Sequence, residues 1–170
     1  MAEKFWTDST AEPKRAYRWT VLLGTDRNNL AHFVAKKVTK PSFTVTETAH
    51  SYLNHKFYYP GRLEWNTVTL TLADAIFPNS AEVVRNMLED SGYQLPDRGN
   101  YGTIGKAKSV GALGVVQITQ HDSEGKAVEH WKLHNAWIKD AKFGDLDYES
   151  DDMLEVELEI RYDYAELVQA

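Results

Sequence analysis

The chain has 170 residues, 42% of them hydrophobic and 26% charged, with a formal net charge of −6 and no cysteine. That length points to a single domain, residues 1–170, able to bury a core without staples. The missing cysteines exclude disulfides and thiolate metal sites, and the negative balance argues against a nucleic-acid binder, which needs a basic stripe.

Residues 1–15 read as a polar N-terminal arm interrupted by Phe5 and Trp6, a pair expected to dock on the chain's own core or on a partner. No signal-peptide pattern opens the chain, and no later apolar run approaches a membrane span. Ala16–Leu23 reads as a first strand with Tyr17, Trp19, Val21 and Leu23 on one side, followed by a turn over Gly24–Asn29. His32–Thr39 predicts a second strand, broken by the Lys40–Pro41 step because proline cannot donate to a ladder. In Ser42–Thr48, Phe43 and Val45 alternate with threonines, again a strand pattern. Ala49–Pro60 (AHSYLNHKFYYP) is rich in aromatics and histidine, lacks a clean period, and stops at Pro60–Gly61. Leu63, Trp65, Val68, Leu70 and Leu72 resume strand chemistry, with Thr67, Thr69 and Thr71 on the other face.

One helix is expected over about residues 79–91. Asn79 with Glu82 forms a capping box, and Gly92 supplies the stop. Val83, Val84, Met87 and Leu88 share one face; Arg85, Asn86, Glu89 and Asp90 share the other. Tyr93–Gly111 reads as loop. Leu113–Gln120 and Ala127–Leu133 flank Asp122–Gly125 as a hairpin, and Ala136–Phe143 reads as a short strand. The acidic run Glu149–Asp152 leads into Asp152–Tyr164 (DMLEVELEIRYDY), where Leu154, Val156, Leu158, Ile160, Tyr162 and Tyr164 alternate with charged residues. Period two makes this a long strand with one greasy and one charged face, and it sets Glu155, Glu157 and Glu159 in one row. The fold class is therefore mainly β, a sandwich or barrel with one flanking helix.

Several motifs come close to chemistry and fall short. His130 and His134 beside Glu129 have i, i+4 spacing, but their segment alternates like a strand, so they read as sheet histidines; His50 and His55 read the same way. Gly102 and Gly105 before Lys106 are too close for a phosphate loop, and Ala107 stands where Ser or Thr is required. Asp145, Asp147, Glu149, Asp151 and Asp152 have Ser150 where a calcium loop needs glycine, leaving a solvated acidic turn. No catalytic, cofactor-binding or metal-binding residue is assigned, no cofactor is expected, and the chain reads as a structural protein rather than an enzyme.

Tyr17–Val21 (YRWTV), the run from Thr39–Val45 (TKPSFTV) through Leu53–Gly61 (LNHKFYYPG) to Trp65, and the ending from Asp147–Asp152 (DYESDD) to Arg161–Tyr164 (RYDY) together resemble the tail tube proteins of contractile-tailed bacteriophages, relatives of the inner tubes of contractile injection systems. The resemblance spans nearly the whole chain in the same order. It implies homo-hexameric rings stacked into the hollow tail tube of a virion, made in the host cytoplasm. Sheath, baseplate and tail terminator proteins would surround that tube, with a tape measure protein and DNA inside and no sequence-specific DNA binding. It also implies an extended loop reaching the adjacent ring, which Glu47–Gly61 matches by position. Candidate inter-ring contacts are then Phe5, Trp6, His50, Tyr52, Leu53, Phe57, Tyr58 and Tyr59. Candidate lumen-lining residues are Glu155, Glu157 and Glu159, whose carboxylates would repel phosphates and let DNA slide. The alternatives are a baseplate tube-initiator of the same fold and, in a different class, a small-ligand-binding β-barrel.

Overall fold

The computed structural model describes residues 12–24, 35–77, 79–96 and 101–169. Phe5, Trp6 and the turn after Gly24 lie outside them. Ten strands and two helices are found among the described residues. One antiparallel sheet runs β1 (Trp19–Gly24), β6 (Val115–His121), β7 (Ala127–His134), β10 (Tyr164–Gln169). A second runs β2 (Ala35–Val38), β5 (Val68–Ala73), β9 (Glu155–Arg161), β8 (Trp137–Lys142). The third is a two-stranded ribbon, β3 (Phe43–Tyr52) with β4 (His55–Trp65).

The two four-stranded sheets bury their apolar faces in one cluster. Val21, Leu23, Val116, Ile118 and Leu133 come from the first sheet, and Val68, Leu70, Leu72, Val156, Leu158 and Ile160 from the second. Strict alternation produces this: in Val68–Ala73 every valine and leucine is buried while the intervening threonines and alanine are partly exposed. The sheets do not close into a barrel, and the space between them is filled by these side chains.

Helix α1 (Ser80–Asp90) closes one side with Val84 and Met87. Asn79 caps it, its side-chain oxygen accepting from the Glu82 N–H at 3.1 Å. Gly92, at φ +105°, ends it; a Cβ there would lie 2.6 Å from the Thr103 carbonyl oxygen. Asn79→Ala is expected to cost about 1 kcal/mol, read as a lower urea midpoint at unchanged slope.

The observed elements depart from the sequence reading at three places. Residues 47–61 are not a loop but most of a regular hairpin, since β4 runs unbroken through Pro60 and Gly61. Part of the expected loop Tyr93–Gly111 is a second helix, α2 (Lys106–Leu113), which buries Ser109, Ala112 and Leu113. Its brevity and Gly111 hide the helical period. The strand expected over Asp152–Tyr164 is two strands, because the chain leaves the second sheet at Tyr162–Asp163 and joins the first as β10. Tyr162 is buried at this crossing, and Asp163 is held by Lys106 and Asn135. An alternating pattern cannot reveal a change of sheet, because both halves keep period two.

Candidate functional site

Three surfaces stand apart from the core: the β3–β4 hairpin, the charged outer face of the second sheet, and a groove beside β8. The hairpin is a long arm. Every residue of β3 is exposed, and so is every residue of β4 except Trp65. The arm is fastened only at its base. Trp65 packs against the core, with its ring 5.6 Å from that of Phe43 and 6.0 Å from that of Tyr162. Asn66 N–H donates to the Ser42 carbonyl at 2.8 Å.

A second fastening lies just before β3. Lys40 donates to Gln120 at 2.6 Å and to Glu129 at 2.8 Å. Glu129 is buried, and it also receives Lys14 and the indole N–H of Trp131. Burial alone would raise the Glu129 pKa, but the bonds from Lys14, Lys40 and Trp131 outweigh it and lower it to about 2. This carboxylate therefore ties the segment at Lys14 and the root of the hairpin to the first sheet. Its role was not visible in the sequence, where Glu129 reads only as a neighbour of His130.

Along the hairpin, Thr48 pairs with Tyr59, His50 with Phe57, and Tyr52 with His55. Directly paired residues share a face, so His50, Tyr52, His55, Phe57 and Tyr59 form one aromatic face. Tyr58 lies on the other face with Ala49, Ser51 and Lys56. His55 belongs with the aromatic set and was missed; the two-residue tip between Tyr52 and His55 conceals that both strands carry aromatics every second residue. None of the aromatics from His50 to Tyr59 belongs to the core cluster. At the tip, Leu53 is 85% exposed and sits at φ +50°, a backbone region that leucine rarely adopts.

The register shifts between Val45 and Glu47, which leaves Thr46 in a bulge opposite Gly61 and Arg62. The Thr46 hydroxyl accepts from the Arg62 N–H at 2.9 Å and donates to the Arg62 carbonyl at 3.2 Å. A Cβ on Gly61 would lie 2.3 Å from Thr46 Oγ1 and 3.0 Å from the Thr46 carbonyl oxygen. Gly61→Val is thus expected to part the strands at the bulge at a local cost of about 1–3 kcal/mol. Hairpin amides should exchange faster while global melting hardly moves; hydrogen exchange that leaves the hairpin unaffected would count against this.

Glu155, Glu157 and Glu159 do stand in one row on the outer face of the second sheet, and each has a cation. Lys36 bonds Glu155, Lys142 bonds Glu157 at 3.0 Å, and Lys139 bonds Glu159 at 2.9 Å. Bonds from Lys139 and Thr67 lower the Glu159 pKa, and the bond to Glu157 raises that of Lys142. Lys36 and Lys139 sit where β2 and β8 shift register, a local irregularity that no alternation rule foresees. The row is a ladder of ion pairs rather than a bare acidic stripe.

The histidines in β7 are hydrogen-bonded sheet residues. His130 Nδ1 lies 2.9 Å from Thr119 Oγ1, and His134 stacks on Tyr164 at 4.3 Å with its Nε2 3.1 Å from Glu166. Glu129 is on the opposite face of its strand from both, facing the core end. In the acidic turn, Asp147 accepts from the Glu149 N–H and the Ser150 hydroxyl donates to Asp152.

No protein-family model matches the chain, and no curated protein does. Solved structures do share its fold. A chain of the 6-fold symmetrised anti-feeding prophage baseplate aligns over 93% of this chain and 97% of its own, with TM-score 0.67 and 16% identity. A chain of the anti-feeding prophage tube-terminating cap aligns over 100% of both, with TM-score 0.68 and 15% identity. A chain of the sheath–tube complex of PVC, an extracellular contractile injection system, in its extended state aligns over 95% of both, with TM-score 0.62 and 18% identity. The chain thus has the fold found in the tubes, caps and baseplates of contractile injection systems. None of its described helices is long and apolar enough to cross a membrane.

Proposed function

We propose that this chain is a structural subunit of a contractile tail, assembling into six-membered rings that stack into the inner tube through which phage DNA passes. The observation that carries the reading is the β3–β4 arm, whose large aromatics are exposed, with no core element among the described residues packed over them. Exposed apolar patches of that size mark interfaces. The shared fold with chains of a sheath–tube complex and of a 6-fold symmetrised baseplate supports rings, a surrounding sheath and a baseplate partner. A terminator at the far end and a tape measure protein within complete the proposed partners, and the tail of a virion is the proposed location. The role is architectural, not enzymatic. Residues 1–170 act in this reading as one tail-tube domain, with 1–15 as its arm.

His50, Tyr52, Leu53, Phe57, Tyr58 and Tyr59 are the inter-ring contacts in this reading, together with Phe5 and Trp6. The outer face of the second sheet, with Glu155, Glu157 and Glu159, lines the lumen. Because that row is paired with lysines, the wall it makes is nearly neutral: DNA phosphates meet no surplus of cations that could hold them, and little repulsion either. Negative-stain microscopy of the purified protein tests the whole reading. Stacked rings are expected; monomers at every protein concentration would overturn it. A baseplate tube-initiator remains the second reading, favoured by the likeness to the anti-feeding prophage baseplate chain. It calls for single rings that do not elongate.

A further inference from the structure

Gln120 and Glu129 face each other across β6 and β7, and each is only 8% exposed. Both are bonded on two sides. The Gln120 amide nitrogen donates to the Arg15 carbonyl at 3.2 Å, and its amide oxygen accepts from Lys40 at 2.6 Å. One Glu129 oxygen accepts from Lys14, and the other accepts from Lys40 at 2.8 Å. Lys14 and Arg15 belong to residues 12–18, which are fastened at the turn joining β6 to β7. Glu12 accepts there from the Ser123 hydroxyl at 2.9 Å and from Arg18 at 2.6 Å, and the Arg18 carbonyl accepts from the His121 N–H at 2.9 Å. Lys40, on the other side, leads through Pro41 and Ser42 into β3.

We infer that residues 12–18 are a strap that controls the hairpin arm: seated, they hold its root on the first sheet; lifted, they release it. The Gln120 amide has one orientation available. Its oxygen must face Lys40, which only donates, and its nitrogen must face the Arg15 carbonyl, which only accepts. Lifting the strap removes the acceptor that fixes the amide. It also opens one Glu129 oxygen to water, and an ion pair in water is worth far less than the same pair with its carboxylate buried. Lys14 and Lys40 repel each other across the carboxylate, which acts in the opposite sense. Their side chains are 52% and 46% exposed against 11% for Glu129, so water screens the repulsion more than it screens the attraction.

The release travels a short way. Pro41, its φ fixed by the ring, joins Lys40 to Ser42, whose carbonyl accepts from the Asn66 N–H at 2.8 Å. Phe43 follows and packs on Trp65. A loosened Lys40 thus reaches the first residue of β3 and the last of β4 together. The inference goes beyond the tube-forming reading and gives it a regulation. In that reading Phe5, Trp6 and the hairpin are separate contacts; the strap makes them one. A partner that draws the chain before Glu12 away from the first sheet releases the arm, and by reciprocity an arm fixed in place holds the strap down. The coupling itself needs a single copy, so it is tested apart from ring formation.

Amide hydrogen exchange on the unassembled protein is the test. Lys14→Ala should speed exchange at Phe43–Val45 and Leu63–Trp65 about tenfold, although Lys14 bonds Glu129 and not the hairpin. Exchange over Val68–Ala73, in the core, should not change. Glu129→Gln should give the same acceleration by itself, and adding Lys14→Ala to it should add less than about twofold. Lys40→Met is the second background, with the same expectation, should Glu129→Gln fold too poorly to measure. Root exchange that is unchanged or slower in Lys14→Ala would overturn the inference. So would a Lys14→Ala effect of full size in the Glu129→Gln or Lys40→Met background, because Lys14 would then act by another route.

Discussion

Replacing Ser51–Tyr58 with a Gly/Ser linker should give a protein that folds normally and makes no tubes. The arm it removes contributes nothing to the shared core, which is built from the two four-stranded sheets and the helices. Its anchors, Trp65 and Phe43, stay in place, as does the Lys40–Glu129 tie. The melting temperature should therefore move by only a few degrees, about what a 1 kcal/mol change produces in a chain of this size. Assembly is a different matter. Truncating one aromatic anchor at an interface often costs about 2 kcal/mol or more, and the linker removes Tyr52, Leu53, Phe57 and Tyr58 together. The loss recurs at every copy in a ring, so multivalency, which lets weak contacts stack firmly, works in reverse. Circular dichroism and negative-stain microscopy on one preparation read both halves of the result. Normal tubes would remove the arm from assembly, and an unfolded chain would return its aromatics to a structural role.

Glu129→Gln is expected to have the second largest effect, with a pH signature. The Glu129 carboxylate has a pKa of about 2 in the folded chain against an ordinary value of 4.5. A depressed carboxylate contributes stability that is fully present above the unfolded pKa and is lost as pH falls towards the folded one. The window is thus between about 4.5 and about 2. The shift alone corresponds to roughly 3 kcal/mol. Lys14 and Lys40 are about half exposed, so solvent screens part of that attraction. The expected loss on substitution at neutral pH is about 1–3 kcal/mol. Urea midpoints of the two proteins should differ most at pH 7 and draw together as pH drops below 4.5. A gap that stayed constant down to pH 3 would mean that the ionised carboxylate is not its source. The variant should also free Lys40 and loosen the root of the hairpin.

The parts of the fold that the sequence made legible are those where one face is buried and the other is not. Val68–Ala73 and Glu155–Arg161 announce themselves by period two, and α1 by its cap and apolar stripe. The hairpin was legible as a place and not as a structure. Aromatics on one face at His50, Tyr52, His55, Phe57 and Tyr59 are not offset by a polar opposite face, because Tyr58 and Pro60 interrupt it. A fully solvated ribbon has no reason to alternate apolar with polar. The lysines that neutralise the glutamate row were not legible at all, since Lys36 and Lys139 reach it only through irregular register in β2 and β8. The Glu129 cluster was equally hidden: Lys14 and Lys40 are far from it in sequence and meet it only once the chain has folded.

The order of strands in the sheets also sets an order in time. Strand β1 pairs with β6, bringing Trp19 opposite Gln120, and β5 pairs with β9, bringing Val68 opposite Ile160. Neither sheet can close until nearly the whole chain has been synthesised, and such distant pairings place folding in the millisecond-to-second range. The hairpin needs only its own neighbours, and ribbons of that kind form in about 1–10 μs. The exposed hairpin can therefore form long before the two larger sheets do. Newly made chains pass through a period with exposed aromatics displayed and no finished core, when aggregation competes with folding. Crowding at the site of synthesis, rather than the strength of the finished contact, would then limit how much of the protein reaches an ordered assembly.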